Sequence, residues 1–359
     1  MTHFAILSLI LAYFLSEISS EANKKKWLCI LSALFLILIS GLRGVNLGYD
    51  TENYLNSFHS SFNISWSEIS QSFVSKYFAT DYLARDPGFI FIEKSIGILT
   101  NNDQLYLIII AIICIVPVSS FIYFHTNSKN AALLAFTYYV FFYYSYIPNS
   151  AIRQSVALSI LLLAYNYLGK GKVIPCLFVV VLASFIHKTA LVFVIFLLLH
   201  VLKLNKVFFK YCLFFYVLFL IFYQQLSPYI PMLFGDVYSM YASSVFFSGR
   251  QRSFTYIIFL TLIYMMFIIP VFRGYEKDFE KRKLLYLGSG MAFVLTPFML
   301  IDPTILRITV YFAVCNFVIL PHSIQLYNPT YSKIIYWSLL LLLVFMGLYS
   351  WDSYNFFWE

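Results

Sequence analysis

Arg43, Arg85, Arg153, Arg250, Arg252 and Arg307 stand where this chain has least need of positive charge. Hydropathy cuts the sequence into about a dozen apolar stretches joined by short loops, and alternate loops face opposite sides. One set of loops holds Lys24, Lys25, Lys26, Lys170, Lys172, Lys203, Lys206, Lys210, Lys277, Lys281 and Lys283. Positive loops stay inside, so that set is expected to be cytoplasmic. Only Arg273 and Arg282 fall on the lysine side. Either kind of cation orients a membrane protein, whereas a planar fork of N–H donors is what grips phosphate or carboxylate. Arginines gathered on the outer face therefore point to an anionic ligand at the outer leaflet.

Five constellations carry this signal. In residues 41–54 (GLRGVNLGYDTENY), Arg43 follows an apolar stretch, Gly44 and Gly48 allow tight turns, and Asp50 and Glu52 add carboxylates. Arg43 either staples the loop to Asp50, or holds phosphate while Asp50 positions or deprotonates a hydroxyl. In residues 147–160, Pro148 and Asn149 open a helix and place Arg153 and Gln154 in its first turns. A charge that far into a span costs a few kcal/mol unless satisfied. A helix N-terminus itself attracts anions, and the competing reading is an arginine that snorkels to the interface.

His187 and Lys188 punctuate two apolar helices at the outer face. A histidine there suits a general base, or is an ordinary turn residue. Arg250 and Arg252 form two closely spaced forks that suit a diphosphate or lipid headgroups. After Asp302-Pro303, Arg307 and Tyr311 share a helix face at i, i+4, and a plain Asp302–Arg307 pair explains them equally well. The five lie far apart in sequence but at one membrane surface, where a bundle would bring them together.

The elements that must position them are transmembrane helices. The 359 residues are 61% hydrophobic and only 11% charged, with a mean hydropathy of +0.79, which excludes a soluble globular protein. Continuous rather than alternating apolar runs exclude a β-barrel. The net charge of +8 is mostly cytoplasmic lysine, so it reads as topology and not as affinity for nucleic acid. Cys29, Cys114, Cys176, Cys212 and Cys315 sit in apolar stretches, with no metal-ligand spacing, and read as core residues. No metal and no cofactor are expected.

The expected architecture is an all-α polytopic integral membrane protein, one transmembrane domain over 1–359. Its spans are near 3–19, 27–42, 104–124, 131–147, 151–168, 173–187, 189–203, 207–226, 254–272, 284–301, 304–321 and 334–350, about 12 helices with both termini outside. Met1 to Phe14 has neither a basic n-region nor a small-residue cleavage site, so it reads as a first helix and not a signal peptide. Two long outer segments interrupt the pattern. In 43–103, Ile64, Trp66, Ile69, Phe73, Tyr77 and Phe78 recur at helical spacing, as in a helix lying in the interface plane. Residues 88–99 are apolar but too short to cross, as in a re-entrant or surface helix. The second segment is 227–253. Aromatics form 21% of the chain, and the run at 137–148 suits an interfacial belt or a sugar-stacking groove.

At these residues the sequence resembles the EpsG and Wzy group of polysaccharide polymerases. The pattern is Arg43, Gly48, Asp50, Thr51 and Tyr54; then Asp86-Pro87-Gly88-Phe89; then Arg153-Gln154 with Ala157; then His187-Lys188 with Ala190 and Leu191. Arg250 and Arg307 with Tyr311 and Phe312 extend it more weakly. Asp86 stands where the pattern has glutamate. The resemblance implies a fold similar to the C-type glycosyltransferases, in the bacterial inner (cytoplasmic) membrane with its site facing the periplasm or exterior. It implies joining of undecaprenyl-diphosphate-linked oligosaccharides, one as donor and one as acceptor, by inverting, metal-independent transfer into a capsule or lipopolysaccharide glycan. Arg43, Arg153, Arg250, Arg252 and Arg307 would hold the diphosphate. Asp50 or His187 would be the base, and Gln154, Tyr311 and Asp86 would position substrate. The bilayer and a chain-length regulator protein would be partners, with no nucleic acid. The runner-up is a flippase or transporter of lipid-linked glycans. Such a protein lines its charges through the membrane midplane, whereas these cluster at one surface.

Overall fold

The computed structural model describes residues 1–45, 47–48, 50–78, 86–144, 149, 151–202, 204, 207–226, 229, 250–272, 276–300, 306–349 and 354–358. Of residues 76–78, 250–256, 267, 270–271, 276–278 and 306 it describes the backbone alone. Arg85, Pro148, Arg273, Asp302, Pro303 and nearly all of 227–249 lie outside the described residues. Those described form 17 α-helices, with short π and 3-10 segments between some of them. By length and composition four helices can cross a bilayer: Asp103–His125, Phe208–Leu226, Lys283–Leu300 and Pro329–Tyr349. Arg307–Ala313 and Asn316–Ile324, bent by 43°, make a fifth if they form one span. The apolar helices Thr2–Ser16 and Val173–Ile186 are shorter. The protein is a multi-pass helical membrane protein.

The chain forms two compact units, residues 1–194 with 333–359, and residues 195–332. In the first unit, α1 (Thr2–Ser16) packs on α2 (Lys24–Gly41). The outer segment then contains α3 (Thr51–Ser61), α4 (Trp66–Phe78) and α5 (Pro87–Leu99). Helix α4 covers the stretch whose aromatic spacing predicts a helix, while α3 was not anticipated. At 13 residues α5 is about 20 Å long, well short of a 30 Å hydrocarbon layer.

Next come α6 (Asp103–His125), capped by the Asn102 side chain accepting from the Leu105 amide at 3.0 Å, and α7 (Lys129–Tyr139), capped likewise by Ser128. The π-turn Val140–Tyr144 extends α7, and α8 (Ile152–Gly169) and α9 (Val173–Ile186) follow. Small hydroxyls let these helices touch: Ser119 of α6 donates to the Cys29 carbonyl at 3.0 Å, and Ser159 of α8 to the Cys114 carbonyl at 3.1 Å. The cysteines are all buried free thiols. Tyr138, Tyr139, Tyr143 and Tyr144 are also buried, so these four rings of the aromatic run fill the bundle and belong to neither an interfacial belt nor an open groove; residues 145–148 of that run lie outside the described residues. Buried phenols need acceptors, and Tyr144 donates to the Leu36 carbonyl.

Helix α10 (Val194–Val201) leads into the second unit, which holds α11 (Phe208–Leu226), α12 (Arg250–Phe272), α13 (Glu276–Lys281) and α14 (Lys283–Leu295), then α15 (Leu306–Ala313) and α16 (Asn316–Ile324). Its core is aromatic: Phe293 stacks between Tyr216 and Tyr264, and Phe196 stacks on Phe312. The helix α17 (Pro329–Tyr349) begins in this unit and lies mainly in the first.

Candidate active site

Three of the predicted motifs meet in the first unit. The Arg153 guanidinium, on the first turn of α8, lies 3.2 Å from the Asp86 carboxylate. The His187 Nδ1 lies 3.7 Å from the same carboxylate oxygen. Asp86 is the residue just before α5; its side chain makes no cap hydrogen bond there, and its backbone carbonyl accepts from the Phe89 and Ile90 amides. Pro87 at the first helical position has a φ already suited to that turn. A Cβ on Gly88 would sit 2.9 Å from the Phe185 carbonyl carbon and 3.1 Å from the Ile186 nitrogen. The Pro-Gly step thus has a local reason, a helix start and a gap through which α5 abuts the last turn of α9, while the Asp86 carboxylate is left to Arg153 and His187. His187 is the next residue after α9 and its C-cap, in extended conformation.

Tyr54 of α3 completes this cluster. Its ring packs edge-on against Phe89, and the Arg153 guanidinium carbon is 6.0 Å from its centroid. Burial raises the Tyr54 phenol above its ordinary range, and the Arg153 charge and hydrogen bond oppose that rise. Asp50 caps α3 without a side-chain cap hydrogen bond, and its charge acts on the same phenol. Side-chain exposure is 42% at Arg153, 17% at His187 and 14% at Asp86, so the arginine is the member presented to solvent.

Arg43 occupies a second, deeper position, just past the end of α2. It is 1% exposed, and its Nη1 donates to the Ser40 carbonyl and to Ser40 Oγ. Its Nε and Nη2 have no hydrogen-bond partner among the described residues. The proposed staple to Asp50 is not made among the described ion pairs. Burial pulls the guanidinium down to about 10, which leaves it charged at neutral pH. The Arg43 backbone forms an isolated antiparallel bridge with Phe356, and the Tyr354 hydroxyl donates to the Ile39 carbonyl at 2.7 Å, which holds the chain's last described residues against α2.

Asn149 joins the Arg43 and Arg153 motifs. Its side chain accepts from Ser40 Oγ at 2.6 Å and donates to the Tyr144 carbonyl at 2.8 Å. Its backbone carbonyl faces Thr51 Oγ1 at 3.4 Å. Gly48, at φ +91°, turns the chain so closely over Asn149 that any Cβ would overlap its carbonyl oxygen. Gln154 is buried beside Arg153 on α8.

In the second unit, α12 begins at Arg250, but the Arg250 and Arg252 side chains lie outside the described residues. Arg307 is half-buried near the start of α15, and Tyr311, one turn on, is fully buried. Among the described residues no group of three His, Cys, Asp or Glu side chains could hold a metal ion. Sequence reasoning passed over Glu93, Tyr106 and Ser57 as functional groups; the available signal was a carboxylate within the apolar stretch 88–99.

A multi-pass membrane protein in which helix ends gather an arginine, a carboxylate and an imidazole is the class that fold and site define. The model of the EpsG family matches residues 26–358, and the chain belongs to that family, which is associated with exopolysaccharide biosynthesis. No curated protein and no solved structure matches the chain.

Proposed function

We propose that this protein is a polysaccharide polymerase. It transfers a glycan from one undecaprenyl diphosphate carrier to a sugar hydroxyl of a second lipid-linked unit. Transfer takes place at the extracytoplasmic face of the bacterial cytoplasmic membrane, in a single twelve-span domain similar to the C-type glycosyltransferases. The observation that carries the reading is the Arg153–Asp86–His187 cluster. It joins an anion-binding fork to an imidazole beside a carboxylate, the two functions that displacement of a diphosphate by a hydroxyl needs.

The leaving diphosphate is already a stable anion, so no general acid is required. Arg153 offsets the charge that develops on it as the anomeric C–O bond breaks. The acceptor hydroxyl oxygen forms the new bond from the opposite face, inverting the anomeric carbon, and its proton passes to His187. Asp86 fixes the imidazole and stabilises it once protonated, as a carboxylate does in a hydrolase triad. The 3.7 Å separation is long for a hydrogen bond, and such contacts tighten once substrate is bound. Asp50 is the alternative base. Arg43 is a second hydrogen-bond donor to the anion: a buried guanidinium with open N–H groups costs several kcal/mol unless a counter-ion arrives. Arg250, Arg252 and Arg307 are assigned to the diphosphate, and Gln154 and Tyr311 to substrate positioning, from their sequence pattern. Arginines supply the charge that a divalent ion would otherwise provide.

Arg153→Ala in cells that depend on this protein is expected to abolish long glycan and accumulate single lipid-linked repeats. Lys281→Ala, at an exposed position, is expected to keep normal chain length. Normal chain length in the Arg153 variant would sink the assignment.

A further inference from the structure

Glu93 is fully buried on α5, a position where a carboxylate is costly, and the chemistry above does not use it. Ser57 of α3 donates to its Oε2 at 2.9 Å. Tyr106 of α6, itself fully buried, donates to its Oε1 at 3.3 Å and stacks on Phe58 of α3 at 4.3 Å. One carboxylate therefore ties three helices.

The placement relates Glu93 to the site. Asp86 and Glu93 are seven residues apart, two turns of α5, so they share a helix face about 10 Å apart. Helix α3 runs beside α5 in the same direction. Tyr54 meets Phe89, Ser57 meets Glu93 one turn on, and Lys94 reaches the Ser61 and Phe62 carbonyls at the end of α3. Ser57 lies one turn after Tyr54, and Glu93 one turn after Phe89. The middle rung of this ladder is a side-chain to side-chain hydrogen bond at 2.9 Å, and such a rung accepts one rotation of each helix where an aromatic edge contact, or a long lysine reaching backbone carbonyls, accepts several.

We propose that Glu93 is a positioning residue: through Ser57 and Tyr106 it fixes how α5 faces α3, and so aims Asp86 and Tyr54 at Arg153. Its kinetic consequence rests on the glycosyl-transfer reading; its structural consequence does not.

The test compares Glu93→Ala with Glu93→Gln in the purified full-length protein. Glutamine keeps the shape, accepts from one hydroxyl and donates to the other. With synthetic lipid-linked repeats, Glu93→Ala is expected to lower kcat about 100-fold while KM stays within about threefold, the signature of misaimed groups. Glu93→Gln is expected to restore kcat to within about threefold of the unmutated protein. Amide hydrogen exchange, read by mass spectrometry without substrate, is expected to speed up over 51–57 and 87–92 in the alanine variant only. Native kcat and native exchange in Glu93→Ala would overturn the proposal. So would a glutamine variant as impaired as alanine, since the charge and not the tie would then matter. If Glu93→Ala does not fold, Ser57→Ala and Tyr106→Phe each remove one bond; partial losses of kcat support the tie, and unchanged kcat and exchange in both refute it. If the unmutated protein makes no polymer, the enzymatic reading fails while the exchange comparison still decides the tie.

Discussion

Replacing Arg153 separates a structural ion pair from a catalytic one. At 3.2 Å and an effective dielectric of 20, the Arg153–Asp86 attraction is nominally about 5 kcal/mol. The arginine is 42% exposed, however, and solvent screens it; pairs of that kind contribute about 0.2–1 kcal/mol to stability. Arg153→Ala should therefore lower Tm by no more than about 5 °C. Against a typical margin of 5–15 kcal/mol, such a loss leaves roughly all of the protein folded. Removing a donor aimed at developing charge costs far more, about 2.7–4 kcal/mol of barrier, or 100- to 1000-fold in rate. Thermal unfolding in detergent and polymer yield from synthetic lipid-linked repeats measure the two quantities on one sample. Arg153→Lys keeps the charge but loses the fork, and is expected to fall between the two. Activity that drops only in step with the folded fraction would refute a catalytic arginine, and unchanged activity would remove it from the site.

Further expectations follow from the same geometry. Asp86→Asn should leave Tm within a few degrees and lower kcat by at least about tenfold, because His187 loses its carboxylate partner. Gly88→Ala places a methyl against the α9 backbone, which cannot yield as a flexible side chain does; thermal unfolding should show a loss of about 1–3 kcal/mol, with reduced polymer yield. Gly48→Ala should be more damaging than an alanine at Gly171, since both have positive φ but only Gly48 presses on Asn149. At the opposite end of the first unit, Lys129 foremost and then Lys24 hold the Glu17 carboxyl below its ordinary value of 4.5. A lowered carboxylate stabilises the fold above the ordinary value and loses that contribution as pH falls through the lowered one. The Tm difference between the unmutated protein and Glu17→Gln should accordingly be present at pH 7 and vanish on acidification.

What the sequence disclosed follows from what membranes and backbones constrain. Apolar run length exposes helices because every backbone group in lipid must be satisfied within its own segment. The motifs around Arg43, Asp86, Arg153 and His187 were legible because glycine, proline and intramembrane charge each carry a cost that calls for a reason. Their meeting was legible only as a shared surface; contact between Asp86 and both partners depends on the approach of α5 to α9 at Gly88, a tertiary fact. The aromatic run at 138–144 misleads because tyrosine suits an interface and a buried site with a carbonyl to accept its proton equally well. Glu93 was visible only as an oddity, since Ser57 and Tyr106 lie on other helices and carry no marker of their pairing with it.

The central claim is that one lipid diphosphate leaves for every sugar linkage made. Vesicles containing the purified protein, given synthetic undecaprenyl-diphosphate repeats on the face that exposes Arg153, should yield a glycan ladder. Free undecaprenyl diphosphate should appear in equal number to the new linkages, and neither should appear with the Arg153→Ala protein. Intact repeats carried to the opposite leaflet, with no ladder and no released diphosphate, would contradict the account and identify a transporter.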